Sequence, residues 1–367
     1  MRILVVTPWF PTAESPVSGV FVRREVEALA DRHEVTVLHL DWQRGTPSPP
    51  APGHGYGYRH ESLRRSDPRS YTRARRVVSQ AALDHDVVHT HALTGLLPWL
   101  TGRPGQGRAW VHSEHWSGIS APETLGTGER AALRILGPRL DHADAVIAES
   151  TRLADAIRRF RSAPIDIVPC VVDAPAALAP RPTAGVPLLS VGGLIPRKGP
   201  LLALDAMATL VERGVDASLT WVGEGPLGEE MRAEARRRGV SDRLRLPGRL
   251  DDDGVSRELA AAAMFLLPTQ GDNFCVVTAE ALVHGRPIVS GVATGAVDYA
   301  DPAVSRFVSV QDGPAYADAV QSLVETSRHL SAEDVAETVS RRFLPSTVAA
   351  ALTGIYERAV DRARRPM

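Results

Sequence analysis

The stretch DAPAALAPRPTAGVPLLSVGGLIPRKGP (173–200) decides the architecture. Four prolines fall between 173 and 187, with little beside them that could pack, so this half reads as a linker between two domains. The other half is an apolar run, LLSV, that stops at Gly192 and Gly193 and turns at PRKGP into the helical spacing of LLALDAMATLVERG. A strand, a glycine turn and a helix make the opening unit of a parallel α/β sheet.

Both sides of the linker carry the same alternation. Before it, RILVVTP (2–8), HEVTVLHL (33–40), DVVHTH (86–91), AWVHSEH (109–115) and ADAVIAES (143–150) read as strands separated by helical patterns. After it come LLSVGGL, SLTWVGEG, RLRLPGR, MFLLPTQ and RPIVSGVA. A chain of 367 residues exceeds one ordinary core, so two Rossmann-like halves are expected: 1–175, joined by a C-terminal helix 346–367, and 186–345. A single large doubly wound sheet accounts less well for a Pro-rich break at the middle.

Bulk properties exclude several classes. The net charge of −1 gives no field for nucleic acid or an anionic membrane. The opening MRILVVTPWFP has an apolar run too short for a secretory leader and reads as a strand. No apolar run reaches the roughly 20 residues of a spanning helix. Cys170 and Cys275 are far apart, without CxxC or Cys/His spacing. The expectation is a cytoplasmic protein with neither disulfide nor zinc-finger scaffold.

Ligands of open α/β sheets sit beyond the carboxyl ends of the strands, so two such domains are expected to face one another across a cleft. Two loops there stand out. Lysine and arginine number 42, yet Lys198 is the one lysine; it lies where a helix N-terminus offers free N–H groups to a phosphate. In LPTQGDNFCVVTAEAL (267–282), Asp272 stands at a helix mouth and Glu280 eight residues on, about two turns along the same flank. Paired carboxylates of this kind accept from vicinal sugar hydroxyls. For Glu280 the plain alternative is a solvated helix residue, but apolar Ala279, Ala281 and Leu282 flank it.

These motifs resemble those of the retaining GT-B glycosyltransferases of family 4 over nearly the whole chain. The family's G-R-L-x-x-x-K-G appears as GGLIPRKG, its P-S-x-x-E-x-F-G-x-x-x-x-E-A as PTQGDNFCVVTAEA, its glycine turn as GEGP (223–226) and its D-V-V-H-x-H as DVVHTH. The resemblance implies an α/β GT-B fold whose C-terminal helix returns to the N-terminal domain. It implies transfer of a sugar from a nucleotide-diphosphate donor, a UDP-sugar by expectation, as co-substrate and with no further cofactor. Lys198 and the N–H of Gly19 would meet the diphosphate, Glu280 the ribose, and Asp272 the transferred sugar. Backbone N–H groups of Asn273, Phe274 and Cys275 would complete that cradle. His91 would lie beside the reacting sugar, and Arg249 and Leu250 would meet the base through backbone groups.

Two positions depart from the pattern. Gly193 replaces the family's phosphate-binding arginine, with Arg197 a possible substitute, and Asp272 replaces a glutamate. DDD (251–253) lies in a polar loop rather than at a strand end with metal-ligand spacing. Leaving-group charge is therefore expected to fall to Lys198, helix N-termini and backbone amides, with no metal ion. Without an obvious nucleophile, front-side attack is expected, the acceptor hydroxyl losing its proton to the departing phosphate oxygen.

For the acceptor, Glu14, Asp41, Glu114 and Glu123 sit in first-domain loops near Trp42 and Trp116. An acidic, aromatic pocket built from Glu14, Glu114 and Trp116 would suit a polycationic ring. The DNFCVVTAEAL stretch and the TPWFP…SGVFVRRE opening are similar to those of enzymes that decorate aminoglycoside antibiotics. The Arg-rich segment 59–78 lies where relatives acting on lipids touch the membrane; its apolar residues are sparse, and a solvated surface is the expectation. A sugar-nucleotide epimerase and a non-catalytic nucleotide-sugar-binding protein are the alternatives of another class.

Overall fold

A computed structural model describes residues 1–12, 14–42, 55–105 and 107–364. The chain forms two compact units, one from Met1–Val171 together with the segment from Phe343 onward, the other Val172–Arg342.

The first unit holds a seven-stranded sheet, and every neighbouring pair is parallel. Its strands are β1 (Arg2–Thr7), β2 (Glu34–Asp41), β3 (Gly57–Ser62), β4 (Val87–His91), β5 (Ala109–Glu114), β6 (Ala145–Ala148) and β7 (Ile165–Ile167), in spatial order β3-β2-β1-β4-β5-β6-β7. The middle strands are buried on both faces because helices cover both; β1 is apolar, and the carboxyl ends of β4 and β5 hold buried polar residues. One face packs on the helix Val20–Ala30 and on the C-terminal helix Pro345–Arg364, which contributes Val348, Leu352, Ile355 and Tyr356 to a core with Ile3, Val5, Val37 and Val111. The last helix of the chain thus completes the core of the first sheet.

The Arg-rich segment is ordered structure. It supplies the edge strand β3 and the helix Pro68–Ala82, which starts on an Asp67 cap and buries Ala74, Val78, Ala81 and Ala82. Trp42, expected in an acceptor pocket, is 7% exposed and packs in the same core as Leu63 and Val78, its ring 5.0 Å from that of Tyr71.

The second unit has β8 (Val186–Val191), β9 (Ala217–Val222), β10 (Leu244–Gly248), β11 (Met264–Leu267), β12 (Ile288–Gly291) and β13 (Ser305–Val308). They form a six-stranded parallel sheet in the order β10-β9-β8-β11-β12-β13. The Pro-rich stretch is tied down rather than free. The fully buried Arg286 donates to the carbonyls of Ala179 and Ala260, and Arg181 donates to those of Ser327 and Leu330. Arginine reaches several carbonyls at once, so backbone that has no strand partner is satisfied by side chains.

Among the described residues, no helix is long and apolar enough to cross a membrane.

Candidate active-site loops

At the carboxyl edge of the second sheet, the turns after β8 and β9 are laced together. Leu194 N–H donates to Glu224 O at 2.9 Å, and Leu227 N–H returns to Leu194 O at 3.1 Å. A short turn, Pro196–Lys198, then leads to Gly199, whose φ of 72° caps the helix Pro200–Glu212. A Cβ at Gly199 would lie 2.3 Å from the carbonyl oxygen of Pro268, so only glycine lets this turn reach the loop after β11.

That approach delivers Lys198 to Asp272. Nζ lies 2.5 Å from Oδ2, with the two side chains 15% and 20% exposed. Oδ1 of Asp272 accepts the Cys275 N–H at 3.1 Å, at the start of the helix Val276–Val283. Burial pulls the Lys198 ammonium down, but Asp272 and Cys275 outweigh it and hold its pKa above the usual lysine value. Lys198 is therefore a charged donor fixed beside a helix mouth.

Arg197 is spent elsewhere. Its guanidinium donates to the carbonyl of Gly271, and its own carbonyl accepts Gln270 N–H at 2.8 Å, so it clasps the 269–272 loop. The arginine missing at Gly193 is not replaced by it. Gly193 itself has room: a Cβ there would meet Glu224 O at 3.6 Å and Ile195 Cγ2 at 3.9 Å, both ordinary contacts.

Other expected donor contacts fall on this edge with differing availability. Asn273, Phe274 and Cys275 are buried, and the hydroxyl of Tyr299 donates to the carbonyls of Phe274 and Cys275. The N–H of Cys275 is committed to Asp272, which corrects the three-amide cradle by one member. Glu280 lies half-buried on the helix flank, with Nδ1 of His284 2.7 Å from its carbonyl. Arg249, exposed, and Leu250, half-buried, follow directly on β10. The acidic run Asp251–Asp253 begins a helix, with the Asp251 carboxylate accepting Gly254 N–H at 2.8 Å.

In the first unit, Gly19 (φ 67°) caps the helix Val20–Ala30, and a Cβ there would lie 2.4 Å from Trp9 O. Glu14 is exposed. Glu114 is not available to an acceptor. It is fully buried; Oε1 accepts the N–H groups of His115 and Trp116 at 2.8 and 2.7 Å, and Oε2 sits 3.2 Å from His112 Nε2. Its carboxylate caps its own loop, and Trp116 beside it is half-buried against Ile119 and Leu125.

His91 is also enclosed. Its ring has no exposed surface, stacks on His115 at 5.3 Å and 3°, and places Nδ1 3.0 Å from His115 Nε2. In this arrangement it belongs to a buried polar seam rather than to an open sugar pocket. His115 Nδ1 is hydrogen-bonded to Glu149, which also accepts the Cys170 thiol at 3.3 Å. Tyr356 OH lies 2.8 Å from His89 Nδ1, and Ser113 Oγ lies 2.8 Å from His89 Nε2. Burial above all, with neighbouring imidazoles adding to it, holds His89 and His91 well below the usual histidine range. Burial opposes protonation of His115 too, but Glu149, Glu25 and Glu114 reverse the sign and raise it. Glu25 is pushed up to about 7 by burial.

No motif in the sequence marks this seam, although a signal exists. Residues two apart on a strand share a face, so HTH and SEH on neighbouring strands put His89, His91, Ser113 and His115 together.

Comparison with known proteins agrees with the loops. Residues 18–174 match the family described as Glycosyltransferase Family 4, and residues 186–326 match Glycosyl transferases group 1. The chain is 29% identical over 320 residues to D-inositol 3-phosphate glycosyltransferase 2 of Catenulispora acidiphila, spanning 76% of this chain and 72% of that protein. It is 25% identical over 172 residues to the alpha-D-kanosaminyltransferase of Streptomyces kanamyceticus, 46% of this chain and 45% of that one. Anabaena HepE, solved in complex with UDP and glucose, superposes with a TM-score of 0.74 at 16% identity, over 97% of this chain and 99% of that chain. With one family matched in each unit and the paired parallel sheets of the GT-B fold, the chain belongs to glycosyltransferase family 4 and is a glycosyltransferase.

Proposed function

We propose that the protein transfers a glycosyl residue from a UDP-sugar, with retention at the anomeric carbon, to a hydroxyl of a small cyclitol acceptor of the aminocyclitol type. The observation that carries the donor half is the Lys198–Asp272 pair at the mouth of the helix Val276–Val283. A cation fixed by a carboxylate is preorganised for a leaving diphosphate, and Asp272 next to it is preorganised for sugar hydroxyls. Lys198, helix N-termini and backbone amides carry the leaving-group charge without a metal ion at the diphosphate, the acidic run 251–253 serving as a helix cap. Glu280 holds the ribose, and Arg249 and Leu250 meet the base. The acceptor hydroxyl attacks from the face the diphosphate leaves, and its proton passes to the departing phosphate oxygen.

The choice of UDP draws support from the UDP bound to HepE. The acceptor class draws support from the relative named for D-inositol 3-phosphate, a cyclitol. With Glu114 enclosed, the exposed Glu14 and Glu123 are the acidic candidates left from those expected on the acceptor side.

A thermal-shift series of UDP-, GDP- and dTDP-sugars, followed by labelled transfer to inositol phosphate, aminocyclitols and lipid vesicles, tests this reading. The expected result is stabilisation by a UDP-sugar and acceptor-dependent transfer to a soluble cyclitol. Transfer to vesicles alone would replace the acceptor half, and epimer formation or no turnover would overturn the reaction.

A further inference from the structure

Three residues in the first unit bring a carboxylate and two imidazoles to one buried point. Glu25 comes from the helix Val20–Ala30, and His89 and His91 come from β4, where their spacing of two puts them on one face. Oε1 of Glu25 lies 3.6 Å from His89 Nδ1 and 3.6 Å from His91 Nε2. The three ligand atoms all fall within 4.8 Å of one another. A separation of 3.6 Å is too long for a hydrogen bond, and Glu25 Oε1 and His91 Nε2 make none. Both histidines are fully buried, and the Glu25 side chain is 13% exposed. Polar atoms enclosed this way and turned on one another without a bond are costly.

A shared cation removes that cost. With metal–nitrogen and metal–oxygen bonds of about 2.0–2.2 Å, ligand atoms around a tetrahedral ion stand roughly 3.3–3.6 Å apart, the spacing of Glu25 Oε1 from each imidazole nitrogen. The surroundings resemble the outer shell that orients metal-bound histidines. His89 has Ser113 Oγ at 2.8 Å behind its Nε2. His91 has His115 at 3.0 Å behind its Nδ1, and Glu149 backs His115 in turn. A carboxylate behind an imidazole behind a ligand fixes the ring and its tautomer. Tyr356 OH, which His89 Nδ1 now holds, is the group an incoming ion displaces.

We infer that Glu25, His89 and His91 form a site for one divalent transition-metal ion of the zinc class. Two imidazoles and a carboxylate suit zinc, whereas magnesium and calcium take all-oxygen sets. The ion pins the helix Val20–Ala30 to β4 and so steadies the helix that begins at Gly19. It is independent of the diphosphate chemistry proposed for the other unit.

The full chain, stripped with a chelator and equilibrated with Zn²⁺ alone, should retain about one ion per chain through dialysis and should melt higher with zinc than without. Co²⁺ in its place should give the visible bands of a four-coordinate nitrogen–oxygen site. Glu25→Gln and His91→Asn should each cut retention at least about tenfold, as loss of one of three ligands requires. His142→Asn, at an exposed histidine, should leave retention unchanged. Retention below about a tenth of an ion by the unaltered chain, or equal retention by Glu25→Gln and His91→Asn, overturns the site. The Co²⁺ spectrum of the unaltered chain decides the matter if either variant misfolds: absence of four-coordinate bands overturns it as well.

Discussion

Lys198 Nζ sits 2.5 Å from Oδ2 of Asp272, across 74 residues of sequence, and each group is the other's charge partner. The pair joins two strand-end loops of one sheet. A ligand that draws on either residue meets both.

Lys198→Ala should lower turnover by about two to three orders of magnitude, the usual loss when one preorganised donor to a developing anion is removed. Lys198→Arg should also be impaired, because a planar fork cannot take the place of a compact ammonium. Steady-state transfer rates check both; activity within a few-fold of normal removes Lys198 from the diphosphate.

Because the two side chains are bonded to each other, their removals should not add. Asp272→Asn alone should lower kcat more than it raises donor KM, and Lys198→Ala with Asp272→Asn should lose little beyond Lys198→Ala. A double-mutant cycle should return a coupling of about 1–3 kcal/mol. A coupling near zero would mean that the pair seen here does not persist in the working enzyme.

Gly193→Arg restores the cation common in the family at a position where a Cβ meets only ordinary contacts. Folding stability should change little, and donor affinity should rise about fivefold, the worth of roughly 1 kcal/mol from one added charge-assisted bond. Calorimetric titration with UDP checks this; unchanged affinity would show that the diphosphate lies out of reach of this position.

Buried His39 ties folding stability to pH. His39 is lowered to about 4, chiefly by burial, which the attraction of Asp41 does not overcome; His60 pushes it the same way as burial. Unfolded, it titrates near 6.5, so the unfolded chain binds the extra proton between about 6.5 and 4, and stability falls as pH falls through that window. Urea unfolding at pH 7 and pH 4.5 should show the unaltered chain losing about 2–3 kcal/mol more than His39→Gln, at ~1.36 kcal/mol per pH unit. Equal losses would place His39 in a more open setting than the one described.

The fold was legible where burial constrains composition. β1, β8 and β11 are largely apolar runs because helices cover both faces of a parallel sheet, while β4 (VVHTH) is equally buried and keeps its polar residues by bonding them to neighbours. β3 was not legible, since GYRHES is an edge strand with no fully buried residue, and β7 is three residues long. In the site, Lys198 and Asp272 could be singled out as residues, but not as partners. Glu114 misled for a related reason: an acid near Trp116 looks the same in sequence whether it faces a ligand or turns back to cap its own loop. The alternating parity of His112 and Glu114 on β5, opposite Ser113, was the clue to its direction.

The C-terminal helix has a consequence for synthesis. The second unit has all its residues once Arg342 leaves the ribosome, while the first still lacks Val348, Leu352, Ile355 and Tyr356 from its core. The half made earlier is therefore the half sealed later, and until the helix Pro345–Arg364 has emerged the face of its sheet that Tyr356 covers stays open to solvent or chaperone. A chain cut before Pro345 would carry a second unit that is whole and a first that is not, because a helix of 20 residues is missing from one side of its sheet.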